Sequence, residues 1–251
     1  MNYMMVRSGW RDFQKPAQHN VIPIFHRISM KLLIFLGTVR DSTPPSPPRL
    51  GLRVARACLA QMHQDDVSVE LIDPLDFDLE PKFKPHFAYA RGKAPDQLQA
   101  LADKIAAADG YVMVSPEYNH SLSPALAHLL NHFGSSLFSY KPSAIVTYSA
   151  GQWGGVRAAV GMRSFLSELG CLPVSAMIHI PKAQEVLAED GNFFASIDAE
   201  KWTSYFARTF EQLTWWASAA KNQQNEVDPH KLVLAFKRDP SQRNAPSKNS
   251  E

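Results

Sequence analysis

Cysteine is scarce in this chain, which has only two among its 251 residues. Cys58 and Cys171 cannot build a disulfide framework or a cysteine-rich metal site, and both are interpreted as small buried hydrophobic residues. The longest apolar run falls far short of the roughly 20 residues that cross a bilayer, so no membrane segment is expected. The formal net charge of +2 is too small to indicate nucleic-acid binding.

The composition is that of a globular protein, with 45% hydrophobic and 20% charged residues. Basic residues concentrate at the two ends of the chain. Residues 1–30 show no clear period and are interpreted as a flexible N-terminal extension of a cytoplasmic protein. Arg7, Arg11 and Arg27 keep an organellar presequence open as the alternative. Residues 221–251 are rich in Asn, Gln, Lys and Ser, which predicts a largely disordered tail.

Between these ends, residues 31–220 alternate short apolar runs with helical patterns. The runs are rich in β-branched or aromatic residues and predict strands at 31–36, 67–72, 111–114, 144–148 and 174–180. Helices are predicted at 50–62, 96–107, 123–133, 156–169 and about 198–219. This order predicts one α/β domain, a parallel sheet covered on both faces. Ligands of such sheets bind beyond the carboxyl ends of the strands.

The loop after the first strand has the composition of an anion site. It runs from Gly37 through Thr38, Arg40 and Ser42 to Arg49, where a helix begins. Free N–H groups at a helix start favour a phosphate, hydroxyls can donate to it, and arginines add charge-assisted bonds. The loop matches neither the P-loop nor the G-x-G-x-x-G pattern. A solvated turn with two surface arginines is the alternative.

The loops after the third and fourth strands are suited to a planar heterocycle. The first contains Pro116, Glu117, Tyr118 and Asn119, which combine a fixed backbone, polar groups and an aromatic face. The second runs from Ser149 through Ala150 and Gly151 to Gly155, and its glycines permit close approach of a ligand. Ordinary connections chosen for geometry alone are the alternatives.

Taken together, the three loops resemble those of the NADPH-dependent FMN reductase family of flavodoxin-like proteins. The resemblance rests on G-[ST]-x-R at Gly37–Arg40, P-E-Y-N-x-S from Pro116 to Ser121, and S-x-G-x-x-G-G from Ser149 to Gly155, and it covers about 31–185. It implies a three-layer flavodoxin-like sandwich whose five-stranded parallel sheet has the order 2-1-3-4-5. It also implies FMN, with its phosphate on Thr38, Arg40, Ser42 and Arg49. The ring would lie against Pro116–Asn119 and near Ser149–Gly151. One departure is that Pro44–Pro48 lengthens the first loop.

The same resemblance implies an activity. Hydride would pass from NADPH to N5 of FMN and then to a flavin, a quinone or a similar small acceptor that enters the same pocket. No side chain is required as an acid or base for the first half-reaction, so no catalytic residue is predicted. Members commonly form dimers or tetramers. A non-enzymatic electron carrier of flavodoxin type and a flavin-binding interaction protein remain the alternatives.

Two further motifs are present in the chain. His128 and His132 have the spacing of a zinc pair, but a third ligand is not evident and no metal is predicted. The segment Pro44–Arg49 matches P-x-x-P-x-R, a ligand for SH3-like grooves, although such matches arise easily by chance in proline-rich loops. Asp73 and Asp76 follow the second strand and are interpreted as turn residues.

Overall fold

The computed structural model describes residues 29–40, 49–62, 66–79 and 83–232. The predicted N-terminal extension up to residue 28, the loop residues 41–48 with Ser42 and Pro44–Pro48, and residues 233–251 lie outside the described residues. Five parallel strands form the sheet in the order β2-β1-β3-β5-β6, and a two-residue β4 pairs antiparallel with the end of β3. The strands are Met30–Leu36 (β1), Val67–Ile72 (β2), Gly110–Tyr118 (β3), Ser121–Leu122 (β4), Pro142–Tyr148 (β5) and Leu172–Ile180 (β6).

The predicted order of the five parallel strands is confirmed, because β5 and β6 are the fourth and fifth strands of the sequence pattern. Five helices correspond to predicted ones: Leu50–Gln61 (α1), Asp96–Ala107 (α2), Pro124–Asn131 (α3), Val156–Glu168 (α5) and Ala199–Glu226 (α7). Three single-turn helices were not predicted: Ser135–Phe138 (α4), Ala183–Val186 (α6) and Pro229–Leu232 (α8). The helix α7 continues beyond the predicted end at 219, so the first residues of the predicted tail are helical.

The sheet separates two hydrophobic layers, as the alternation of side chains along a strand requires. On β1, Leu32, Ile34 and Leu36 pack with α1 and α7, whereas Leu33 and Phe35 pack with α2, α3 and α5 on the opposite face. Both cysteines are buried, as predicted. Among the described residues, no helix is long enough and apolar enough to cross a bilayer.

The end of β3 differs from the predicted loop. The strand extends through Pro116, Glu117 and Tyr118, and β4 turns back to pair Glu117 with Leu122 and Tyr118 with Ser121. The two turn residues, Asn119 and His120, have φ angles of 50° and 60°. Two successive positive φ angles match the twist of a tight hairpin. The motif was predicted as a loop because its apolar run stops at Val114, whereas hydrogen bonding to β5 continues to Pro116.

Candidate functional site

A cleft of about 400 Å³ opens at the carboxyl edge of the sheet, where the ends of β1, β3 and β5 meet the first turn of α1. The predicted site residues that line it are Thr38, Arg40, Arg49, Pro116, Glu117, Tyr118, Ser149 and Ala150. Asn119 and Gly151 adjoin these residues in sequence without lining the cleft, and Ser42 lies outside the described residues. Three segments of chain, which begin at Thr38, Pro116 and Ser149, are thus brought to one cavity.

The position of the loop after β1 is set by hydrogen bonds to the neighbouring strand and helix. The Gly37 N–H donates to the Val114 carbonyl at 2.7 Å, and the Ser123 hydroxyl donates to the Gly37 carbonyl at 2.5 Å. Ser123 also caps α3 by accepting from the Leu126 N–H, as its place before Pro124 predicted. A Cβ at Gly37 would lie 2.6 Å from the Val114 carbonyl oxygen, so a glycine is needed where the loop leaves the strand.

Tyr148, the last residue of β5, forms part of the cleft floor and was not predicted. Burial raises the pKa of its hydroxyl well above the usual range, and nearby Tyr118 adds to the rise. The cations Arg49 and Arg40 and a hydrogen bond with Thr38 oppose it. The hydroxyl therefore stays protonated and available as a donor at neutral pH. Its position one residue before Ser149 was the sequence signal that was overlooked.

Arg49, immediately before α1, and Arg53, in the first turns of that helix, support the cleft wall. Arg49 contacts Asp73 and the Thr38 carbonyl. Arg53 is 8% exposed and donates Nη1 to the Leu187 carbonyl at 3.1 Å, while its buried Nε has no hydrogen-bond partner within the described residues. Arg49 is itself only 9% exposed, so it is not displayed as the terminal arginine of a polyproline ligand would need to be.

The loops after β5 and β6 close the remaining side. The Ser149 hydroxyl donates to the Gly151 carbonyl at 2.8 Å and accepts from the Gly154 N–H at 2.9 Å, so this side chain shapes the glycine-rich turn. Gln184 donates to the Ala150 carbonyl at 3.0 Å and lines the cleft from α6. No feature of the sequence drew attention to Gln184, because the loop after β6 contains no recognised motif.

Glu117 joins the hairpin to the start of α5. Its carboxylate accepts from the Arg157 N–H at 3.1 Å and the Ala158 N–H at 3.4 Å, and it pairs with His120 at 3.0 Å and with the Arg157 side chain at 3.6 Å. Burial alone would raise the pKa of Glu117, but the bonds from His120 and the two amides, with the Arg157 charge, lower it below the usual 4.5. The glutamate is therefore ionised at neutral pH and acts as a cap on α5.

Replacing Glu117 by glutamine should lower the free energy of unfolding by about 1–2 kcal/mol at neutral pH, the value of weakened bonds to a charged group. Because the folded-state pKa is lowered, this stabilisation is present in full above about pH 4.5 and is lost as the pH falls through the folded-state value. Urea unfolding of both proteins at several pH values measures the difference. Glu185→Gln, at an exposed ion pair with Lys182, is the control and should change stability by less than about 1 kcal/mol. A Glu117→Gln difference that is independent of pH down to strongly acidic conditions would contradict this role.

A larger apolar groove lies at the opposite edge of the sheet, between α7 and the amino-terminal ends of β5 and β6. It has a volume of about 1060 Å³ and is lined by Tyr140, Pro142, Leu172, Trp216 and Val227 among others. None of the predicted site residues lines it. We assign the candidate site to the smaller cleft, since polar groups converge there and parallel sheets bind ligands at that edge. Within the described ranges, no group of three or more His, Cys, Asp or Glu side chains is placed to hold a metal.

Comparison with known proteins gives a family match over most of the body. Residues 30–185 match the model described as NADPH-dependent FMN reductase. An NADPH azoreductase of Bacillus sp. strain OY1-2 is 35% identical over 72 residues, which are 29% of this chain and 40% of the azoreductase. The NADH-dependent flavin reductase subunit 2 of Lactobacillus johnsonii is 28% identical over 144 residues, 55% of this chain and 70% of that protein. An NAD(P)H-dependent FMN reductase of Pseudomonas aeruginosa is 32% identical over 107 residues, 41% of this chain and 57% of the relative.

Solved structures support the fold. The flavoenzyme FerB of Paracoccus denitrificans, an NAD(P)H:(acceptor) oxidoreductase, superposes with a TM-score of 0.57 at 19% identity over 74% of this chain and 97% of its own. RosB with a bound formylriboflavin-5′-phosphate intermediate gives a TM-score of 0.56 at 16% identity over 88% of this chain and 92% of its own. At these identities the likeness establishes a shared flavodoxin-like sandwich.

Proposed function

This chain belongs to the NADPH-dependent FMN reductase family, and we propose that its cleft binds FMN and that the protein oxidises NADPH to reduce a small-molecule acceptor. The observation that carries the proposal is the meeting of the three predicted loops in one cavity at the carboxyl edge of the sheet. The chemistry of the cavity fits the two ends of FMN, a dianionic phosphate and a flat heterocycle.

The phosphate end is assigned to the start of α1. The N–H groups at the beginning of a helix have no acceptor within it, and the first turn of α1 carries no acidic residue. Arg40 supplies charge, and Thr38 fixes the Arg40 backbone by accepting its N–H at 3.1 Å. Gly51, Thr38 and Tyr148 lie close together at this end of the cleft, and we call them the phosphate cradle. A Cβ at Gly51 would fill the cradle. Together with the Nε of Arg53, which has no hydrogen-bond partner among the described residues, this donor set fits an anion.

The ring end is assigned to the hairpin and the turn after β5. Pro116 and Tyr118 give apolar surface, and Ser149 and Ala150 line the cleft beside them. Glu117 keeps the hairpin attached to α5, so the wall of the pocket is held rigidly. Bound FMN supplies the hydride chemistry, and the residues of this chain bind it, orient it and exclude water. We assign no side chain as an acid or base.

The acceptor is proposed to be a flavin, a quinone or a similar small molecule that enters the cleft after NADP has left. The relatives named as azoreductase and flavin reductase support this class of acceptor without selecting one member. Exposed Tyr118 and Trp153 near the cleft support a homodimer or tetramer in which a second copy covers the site. The two buried free thiols suit the reducing cytoplasm, which we propose as the compartment.

Steady-state kinetics test the proposed activity. With NADPH and a soluble quinone varied together, the release of NADP before acceptor binding predicts parallel double-reciprocal lines. The same assay with NADH gives the nucleotide preference. The absence of NADPH oxidation by the FMN-loaded protein would favour the electron-carrier alternative, and intersecting lines would contradict the use of one cleft by both substrates.

A further inference from the structure

Asp73, at the end of β2, forms a two-point ion pair with Arg49 beside the cleft. Its Oδ2 lies 2.5 Å from Nη1 of Arg49 and its Oδ1 lies 3.0 Å from Nη2. The exposed fractions of the two side chains are 7% for Arg49 and 14% for Asp73. Paired guanidinium and carboxylate groups of this kind are strongly directional, so the pair fixes the plane of the guanidinium.

Each partner of the pair is also held on its own side. Asp73 caps the turn Pro74–Asp76, because its Oδ1 accepts the Leu75 N–H at 3.0 Å. The backbone of Arg49 starts α1, since its carbonyl accepts from the Leu52 and Arg53 amides. The guanidinium of Arg49 additionally donates to the Thr38 carbonyl. One buried arginine therefore connects the ends of β1 and β2 with the first turn of α1.

We propose that Asp73 is a positioning residue for phosphate recognition, acting through Arg49. The inference rests on the proposed function, because it concerns the FMN phosphate at the start of α1. Asp73 neutralises Arg49 and fixes the position of its guanidinium. The guanidinium in turn fixes the positions of Thr38 and of the first amides of α1. In this arrangement Arg49 sets the shape of the phosphate site, and Arg40 supplies the positive charge that faces the phosphate.

Two opposite consequences of removing the carboxylate can be separated by experiment. If Asp73 positions the cradle, its loss removes the two-point contact that fixes the guanidinium of Arg49, the guanidinium moves, and the Thr38 carbonyl is released. Phosphate binding then becomes weaker. If Asp73 only neutralises Arg49, its loss frees a positive charge beside the phosphate, and phosphate binding becomes tighter.

The experiment compares FMN with riboflavin, which lacks the phosphate, in fluorescence-quenching titrations of the full chain. Asp73→Asn should reduce FMN affinity at least tenfold and riboflavin affinity no more than twofold. Asp76→Asn is the matched control, because it removes the same charge three residues later from an exposed position of the same turn. This control should leave both affinities within twofold of the original protein.

Asp73→Glu keeps the charge and lengthens the side chain by one methylene, so it should lower the ratio of FMN to riboflavin affinity by a smaller factor than Asp73→Asn. If Asp73→Asn does not fold, a lowered ratio in Asp73→Glu supports the proposal. An unchanged ratio in every variant that folds, or tighter FMN binding by Asp73→Asn, overturns it. If the original protein itself binds FMN no better than riboflavin, the phosphate site of the proposed function fails, and the positioning role fails with it.

Discussion

Replacing Arg40 by alanine is expected to weaken FMN binding by about 1.5–3 kcal/mol, the value of a hydrogen bond to a charged group, which is about 10- to 150-fold in Kd. Arg40 lines the cleft beside the start of α1, and its N–H is held by the Thr38 hydroxyl. Its side chain is exposed, so the loss should become smaller as salt screens the charge. A flavin titration at two ionic strengths measures both effects.

Arg56→Ala is the matched control for this measurement. Arg56 lies on α1, the helix beside Arg40, but its Nη1 donates to the Glu189 carbonyl at 2.8 Å and it does not line the cleft. Its removal should change FMN affinity by less than twofold. Equal losses for the two variants would indicate a general effect of positive charge, and an unchanged Kd in Arg40→Ala would remove this residue from the phosphate site.

Replacing Gly51 by alanine is expected to lower the free energy of unfolding by about 1–3 kcal/mol and to reduce FMN affinity at least about tenfold. Helix propensity alone favours the opposite sign, since alanine is better than glycine in a helix by about 0.8–1 kcal/mol. We expect the lack of space to outweigh helix propensity, so that the free energy of unfolding falls. A Cβ at Gly51 would meet the Tyr148 hydroxyl and lie 2.6 Å from Cγ2 of Thr38. The first turn of α1 must then shift away from the cleft floor.

Gly161→Ala is the control, and its expected change in the free energy of unfolding has the opposite sign. Gly161 lies within α5, and an added Cβ would meet none of the described residues within 4 Å beyond its own helix neighbours. This variant should gain up to about 1 kcal/mol of stability from helix propensity and keep its FMN affinity. Denaturant unfolding and flavin titration of both variants give the comparison. Stabilisation by both substitutions would show that the cradle tolerates a methyl group at Gly51.

The sheet could be predicted from sequence because its strands are nearly continuous apolar runs bounded by turn residues. Val67–Ile72 was located to the residue, and the helix after Ser123 was marked by its cap and by Pro124. The ends of β3 and α7 were missed for different reasons. Pro116, Glu117 and Tyr118 do not continue an apolar run, although ladder pairing with β5 and β4 holds them in the strand. The polar turns of α7 after residue 219 lack the apolar period that marks a packed helix.

At the site, sequence reasoning was effective where motifs follow strands and failed where contacts are distant along the chain. Thr38, Arg40 and Ser149 could be selected from their loops. The pairing of Arg49 with Asp73 joins residues 24 positions apart, and each was interpreted separately, as a phosphate ligand and as a turn residue. Asp73 does cap its turn, and its carboxylate also forms the ion pair with Arg49. Gln184 and Arg53 reach the cleft through folding alone, without a local signal.

The most direct test of the reductase function is the visible spectrum of the purified protein loaded with FMN, recorded without oxygen before and after NADPH is added. We expect a bound flavin whose absorbance near the visible maximum bleaches on NADPH addition and returns when a quinone is supplied. A flavin that binds but stays oxidised would contradict the reductase function and favour a carrier or binding role. Failure to bind FMN at all would contradict the assignment of the cleft.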